Sequence, residues 1–229
     1  MGDGNQIFSK QMVVFCDFDG TITERDMIIS VMERFAPDGW ELTKDDILSQ
    51  RISVQEGVGR LFSMIPSGQR DELVAYAKQT ARIREGFGEF VEYCRGNNVE
   101  LLVTSGGIDF FVEPILAPYQ ISQIYCNQAD FSDETIRILW PHDCDDKCDG
   151  GCGMCKPSVM RKYPADRFTR LVIGDSITDL KAARQADFVI ARSFLLDRCR
   201  EEGLTLAPFT DFGDVKACIE RLLQLGVSA

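Results

Sequence analysis

With 229 residues, 45% of them hydrophobic, the chain has enough apolar material for one folded unit, or for one unit carrying an insertion. Its formal net charge of −11 and scattered Lys and Arg argue against nucleic acid or an anionic membrane as partner, and no apolar run approaches the roughly 18 residues of a membrane helix. With His142 the single histidine, an H-E-x-x-H zinc site and a two-histidine finger are excluded, and carboxylates or lysines are left to do most acid–base work.

The first eleven residues lack the apolar region of a secretory signal, so a cytoplasmic protein is expected, with its nine cysteines present as thiols or metal ligands. Met12-Val-Val-Phe-Cys16 is a short apolar run that reads as a buried strand. It ends in Asp17-Phe-Asp19-Gly20-Thr21, and in an open α/β sheet ligands bind beyond the carboxyl ends of the strands. Side chains at i and i+2 share a face, although a turn at Gly20 would re-aim Asp19. Two such carboxylates repel unless a cation lies between them or one takes a proton. Alone, the pair also reads as an acidic turn. An EF-hand loop is excluded because Ile22 stands where its glycine must be.

Residues 24–35 carry Met27, Ile28, Val31, Met32 and Phe35 at helical spacing, and a short helix is expected from Thr43. Ser53-x-x-Glu56 is a capping box ahead of Val58, Leu61, Phe62 and Ile65, and Ser67 opens another helix after Pro66. Residues 24–83 therefore read as an inserted all-helical cap, in a core made of residues 1–23 and 84–229. A helix at about 86–95 precedes a second buried strand, Val99–Val103, which ends in Ser105-Gly106-Gly107 before a further helix. Alternation over residues 123–140 suggests a β-hairpin, followed by a cysteine-rich loop and a helix opening near Pro157. The third buried strand, Leu171–Ile173, runs into Gly174-Asp175-Ser-Ile-Thr-Asp179; a helix, a short strand at 188–190 and two more helices complete the chain. Strands alternating with helices point to an α/β fold with a doubly wound parallel sheet.

Three strand ends thus offer polar groups. A Ser-Gly-Gly turn leading into a helix presents a hydroxyl and backbone N–H groups suited to an oxyanion such as phosphate. Asp175 and Asp179 read equally well as helix caps, and Lys156 alone as a surface lysine. Together with Asp17 and Asp19 they offer what phosphoryl transfer requires: a hard cation held by carboxylates, a phosphate cradle and a neutralising lysine.

Asp17-Phe-Asp19-Gly-Thr21, Ser105-Gly-Gly107, Lys156-Pro157 and Gly174-Asp175-Ser-x-x-Asp179 resemble, in order, the four motifs of the haloacid dehalogenase superfamily. The helical insertion resembles the cap of its phosphoserine phosphatase-like branch. Phe35-Ala-Pro37, the stretches 53–60, 83–87, 105–111 and 124–127, and the 140–157 loop are similar to the methionine-salvage phosphatases of that superfamily. The resemblance implies a Rossmann-like core and a phosphomonoesterase acting on a small phosphorylated metabolite with Mg²⁺. It implies Asp17 as nucleophile and Asp19 as general acid and base. Thr21, Ser105, Gly106 and Lys156 would bind phosphate. Asp17, Asp175 and the Asp19 backbone carbonyl would hold Mg²⁺, with Asp179 orienting metal-bound water or Lys156.

A phosphoserine phosphatase, or a broader small-phosphomonoester phosphatase, is the alternative enzyme, with Glu24 and Arg84 available for an amine and a carboxylate. The methionine-salvage substrate would need an apolar pocket, for which Phe35, Met64, Phe110 and Phe111 are candidates. A non-catalytic metal-binding module on the same fold is the alternative of another class. Cys144-x3-Cys148-x3-Cys152-x2-Cys155 suits either a structural Zn²⁺ or four free thiols. Its four-thiolate shell would leave no open position for catalysis.

Overall fold

The computed structural model describes residues 10–148 and 150–227. Seven strands form one sheet: β1 (Gln11–Cys16), β2 (Glu100–Ile108), β3 (Gln123–Asp130), β4 (Arg137–Leu139), β5 (Phe168–Gly174), β6 (Phe188–Ala191) and β7 (Leu206–Pro208). The spatial order is β4-β3-β2-β1-β5-β6-β7, parallel except for β4 against β3. The chain therefore winds outward from β1 in one direction, then returns and winds outward in the other. That reversal makes the carboxyl end of β1 a topological switch point. The register sets Cys16 opposite both Val103 and Ile173, so the polar stretches starting at Asp17, Thr104 and Gly174 begin at one level.

The central strands are apolar on both sides because helices cover both faces. Val14 and Cys16 point into one layer with Phe90, Phe111, Phe212 and Ile219, from α5 (Phe87–Gly96), α6 (Asp109–Leu116) and α10 (Phe212–Val227). Val13 and Phe15 point the other way, toward Val159, Leu180 and Leu195 of α7 (Lys156–Met160), α8 (Ile177–Ala183) and α9 (Ser193–Glu201).

Between β1 and α5 lie α1 (Met27–Phe35), α2 (Trp40–Leu48), α3 (Val54–Phe62) and α4 (Arg70–Thr80). Their two connections to the sheet run side by side: Glu24 N–H donates to Arg82 O and Arg84 N–H to Ile22 O, each at 2.8 Å. Val31, Leu61 and Phe62 of these helices share one apolar cluster with Phe110 and Phe111 of α6.

Several boundaries differ from the sequence reading. Helix α1 starts at Met27, because the Asp26 carboxylate caps it through Ile29 N–H. Helix α2 starts at Trp40 and not Thr43, entered through Gly39 at φ 93°. Strand β2 continues through Ser105-Gly-Gly to Ile108, with a shift in its pairing to β3 between Thr104 and Ile108. The expected hairpin is present as β3 and β4, but β3 also pairs with β2 and extends the main sheet. Strand β7, absent from the sequence reading, adds to β6 between α9 and α10.

Candidate active site

The backbone after β1 makes one wide turn in which Thr23 N–H reaches Phe18 O at 2.9 Å. Gly20 takes φ 76° there, and a Cβ on it would lie 2.5 Å from Asp175 Oδ2, so only glycine lets the loops after β1 and β5 meet this closely. Arg84 clamps the turn from the far side. Its guanidinium donates to Thr21 O and Gly20 O at 2.8 Å each and to Thr23 O at 3.3 Å. The sequence reading offered Arg84 for a substrate carboxylate; the structure commits its donors to backbone carbonyls. Glu24 is exposed at the edge of the same crossing.

Asp17, 4% exposed, accepts from Lys156 Nζ at 2.6 Å. Lys156, also 4% exposed, donates a second bond to Asp179 Oδ1 at 2.5 Å. Asp179 spends its other oxygen on the N–H groups of Asp175 and Ser176, each at 3.1 Å, which caps α8. One carboxylate thus both caps α8 and holds Lys156. Thr21 Oγ1 donates to Asp175 Oδ1 at 3.1 Å. Asp17, Asp175 and Asp179 each bring a carboxylate oxygen within 4.8 Å of the others.

The charge balance follows from this crowding. Burial pushes the Asp17 carboxyl up to about 8, with the Asp179 charge adding to it and Lys156 opposing. Burial and Asp179 likewise carry Asp175 to about 6. For Lys156 burial would lower the pKa, but Asp17 and Asp179 outweigh it and hold the ammonium above its ordinary range. Three carboxylates face one ammonium, a surplus of negative charge on oxygen donors alone. That donor set fits a hard divalent cation such as Mg²⁺.

Asp19 is half-buried and stands apart from that group. Its Oδ1 accepts from Met27 N–H at 2.7 Å, at the start of α1. Burial and the nearby Asp26 charge push its pKa well up, against the pull of the Met27 N–H. Gly107 is its neighbour: a Cβ there would sit 3.0 Å from Asp19 Oδ2 and 2.8 Å from the Phe111 ring. Ser105 is fully buried, and its Oγ accepts from Gly107 N–H at 2.8 Å, leaving the hydroxyl proton free to point elsewhere. A Cβ on Gly106 would meet nothing within 4 Å, so open space lies beside the cradle.

Asn127 was not among the expected site residues. It is 2% exposed and donates from Nδ2 to Gly106 O at 2.8 Å, fixing the cradle from β3. Of the four apolar candidates, Phe110 and Phe111 are buried among Phe62, Phe131 and Phe18, Phe35 packs edge-on against Tyr76, and Met64 is half-buried.

Among known proteins, residues 14–184 match the haloacid dehalogenase-like hydrolase family. The chain is 56% identical over 214 residues, 93% of its length and 97% of the relative's, to a Geobacillus thermodenitrificans protein named 2-hydroxy-3-keto-5-methylthiopentenyl-1-phosphate phosphatase. A Brevibacillus brevis protein of the same name is 54% identical over 219 residues, 94% of this chain and 98% of that one. A solved phosphoserine phosphatase from T. onnurineus superposes with a TM-score of 0.68 at 19% identity, covering 95% of this chain and 98% of its own. At that identity the likeness speaks for the fold alone.

Proposed function

Because this chain belongs to the haloacid dehalogenase-like hydrolase family, we propose that its Asp17 cluster hydrolyses 2-hydroxy-3-keto-5-methylthiopentenyl-1-phosphate to 1,2-dihydroxy-3-keto-5-methylthiopentene and inorganic phosphate. The reaction is a step of cytoplasmic methionine salvage. The observation that carries the chemistry is the buried Lys156 bridging Asp17 and Asp179 beside Asp175. The substrate rests on the 54–56% identity to the phosphatases of that name.

Asp17 attacks phosphorus in line with the leaving oxygen, forming an aspartyl-phosphate as the ester P–O bond breaks. Asp19, its pKa raised, gives its proton to that oxygen. In the second step Asp19 takes a proton from water, the water oxygen bonds to phosphorus, and the Asp17–phosphorus bond breaks. Thr21, the Ser105 hydroxyl and the Gly106 N–H hold the phosphoryl oxygens, while Lys156 neutralises Asp17 and phosphate. Asp179 keeps the ammonium aimed. Mg²⁺ held by the Asp17 and Asp175 carboxylates and the Asp19 carbonyl supplies positive charge that keeps Asp17 ionised and offsets the phosphate. Residues 24–83 act as the cap over this site, with 1–23 and 84–229 as the core.

The test is steady-state phosphate release with Mg²⁺ from the ketone phosphate, from phosphoserine and from a generic aryl phosphate, for the wild type and Asp17→Asn. Highest kcat/KM on the ketone phosphate, abolished in Asp17→Asn, is expected. A preference for phosphoserine would overturn the substrate, and equal rates for the two proteins would overturn the enzyme.

A further inference from the structure

The loop between β4 and α7 holds a group of side chains that the phosphatase chemistry leaves without a task. Cys144, Cys148, Cys152 and Cys155 converge so that all four Sγ atoms lie within 4.8 Å of one another. Cys144 and Cys148 are 3.6 Å apart at sulfur, and Cys148 and Cys152 are 3.9 Å apart. A zinc ion bound to four thiolates at about 2.3 Å in a tetrahedron separates its sulfurs by about 3.8 Å. The two separations bracket that value. Disulfides would pair the sulfurs two by two at about 2.05 Å, leaving no reason for all four to converge. A multi-iron cluster spreads its thiolates over separate metal atoms, wider than this group allows.

The loop also has no apolar core of its own, and outside the sulfur group it is held by polar contacts such as the Arg161–Asp145 pair. Asp143-Cys-Asp-Asp-Lys-Cys-Asp-Gly-Gly-Cys-Gly153 contains no apolar side chain apart from its cysteines, so burial cannot fold it. Small segments of that kind need a covalent or metal staple. Lys181 of α8 brings its Nζ to 4.0 Å from Cys148 Sγ, where a cation would offset the surplus charge of four thiolates on one divalent ion. His142 joins through its backbone only, its carbonyl accepting from Cys155 N–H at 2.7 Å, while its ring packs edge-on against Tyr125. The other five cysteines are buried outside this group.

We propose that Cys144, Cys148, Cys152 and Cys155 bind one structural Zn²⁺ as thiolates, and that this ion sets the loop that delivers Lys156 to Asp17. The thiol protons leave to solvent on binding. All four positions are filled by protein, so the ion has no open position for substrate. Cys155 is bonded directly to Lys156. At the other side of the loop, Gln55 of α3 donates from its backbone to Gly151 O at 3.0 Å and from Nε2 to Asp143 Oδ2 at 3.2 Å. One ion thus fixes both the lysine and the shelf against which α3 rests. The metal site stands on geometry alone; its effect on Lys156 rests on the catalytic reading given above.

The test begins with elemental analysis of the full chain, expressed with zinc in the medium and purified under reductant without oxygen. One zinc per chain is expected, retained in excess Mg²⁺ and in Cys94→Ser, and lost in Cys148→Ser. Co²⁺ added to the metal-free wild type should give the sulfur-to-cobalt charge-transfer and red-region bands of a tetrahedral tetrathiolate, a readout independent of whether Cys148→Ser folds. Wild type without stoichiometric zinc, stoichiometric iron in its place, or a cobalt spectrum without thiolate bands overturns the site. Removing the zinc should lower kcat by about 10- to 100-fold with KM moved less than about threefold, and Zn²⁺ but not Mg²⁺ should restore it. Zinc present, with kcat unchanged on its removal, overturns the effect on Lys156 and leaves the metal site standing. Wild type inactive on every phosphate ester overturns the catalytic reading instead, and the metal count still decides the site.

Discussion

Gly20→Ala tests the convergence of the loops after β1 and β5 by adding one methyl group. At φ 76° the alanine occupies a left-handed conformation that costs an L-residue about 1–2 kcal/mol. Its Cβ would lie 2.5, 2.9 and 3.0 Å from the three atoms of the Asp175 carboxyl group. Relieving that contact moves the carboxylate by roughly 1 Å, toward ordinary van der Waals separation. The Thr21 hydroxyl bond at 3.1 Å breaks with it, a charge-assisted bond of about 1.5–3 kcal/mol. The sum is a loss of about 2.5–5 kcal/mol, measurable by urea denaturation followed by circular dichroism. If Asp175 holds the proposed Mg²⁺, a displacement of that size should lower kcat by about 100-fold and raise the Mg²⁺ concentration needed for half-activity. Gly68→Ala is the control: a Cβ there meets nothing within 4 Å, and the change should stay within about 0.5 kcal/mol. If Gly20→Ala matched wild type in kcat and Mg²⁺ dependence, Asp175 would not be a working part of the site.

Lys156→Met removes the one ammonium from between Asp17 and Asp179. Breaking a buried pair this way should cost about 3–5 kcal/mol by urea denaturation, and a loss of less than about 1 kcal/mol would contradict the buried bridge. In the metal-free protein Asp17, at about 8, and Asp175, at about 6, keep protons that the unfolded chain has already released above about pH 4. Stability should therefore fall as pH rises from about 4 to 8, and Mg²⁺ should reduce that fall; melting curves across the window with and without Mg²⁺ check the sign. Arg84→Ala frees the carbonyls of Gly20, Thr21 and Thr23, so kcat should fall for every phosphate ester alike, whereas a loss confined to KM for phosphoserine would restore Arg84 as a substrate ligand.

Part of this candidate site is legible in the sequence, because Asp17, Asp19, Ser105 and Asp175 follow the ends of buried apolar runs. Met12–Cys16 and Leu171–Ile173 read as buried strands, which puts Asp17, Asp19 and Asp175 at the sheet's rim. What stayed hidden depends on contacts between distant residues. Ser105-Gly-Gly reads locally as a turn, yet pairing with β3 keeps it extended until Ile108. Arg84 is one arginine among many until the crossing at Thr23 and Ile83 brings it under the turn. Asn127 carries no local signal, since only the neighbouring strand supplies the Gly106 carbonyl it holds. Strand β7 is three residues long, too short for a periodic pattern. The cysteine spacing suits metal and free thiols equally, and nothing local in it shows that the four sulfurs meet.

The nucleophile can be caught directly. Rapid acid quench of the full chain turning over the ketone phosphate with Mg²⁺, followed by peptide mass spectrometry, should find a phosphoryl group on the peptide containing Asp17. It should be absent from Asp17→Asn. Phosphoryl transfer to another side chain, or turnover in which Asp17→Asn keeps pace with wild type, would contradict the chemistry assigned to the end of β1.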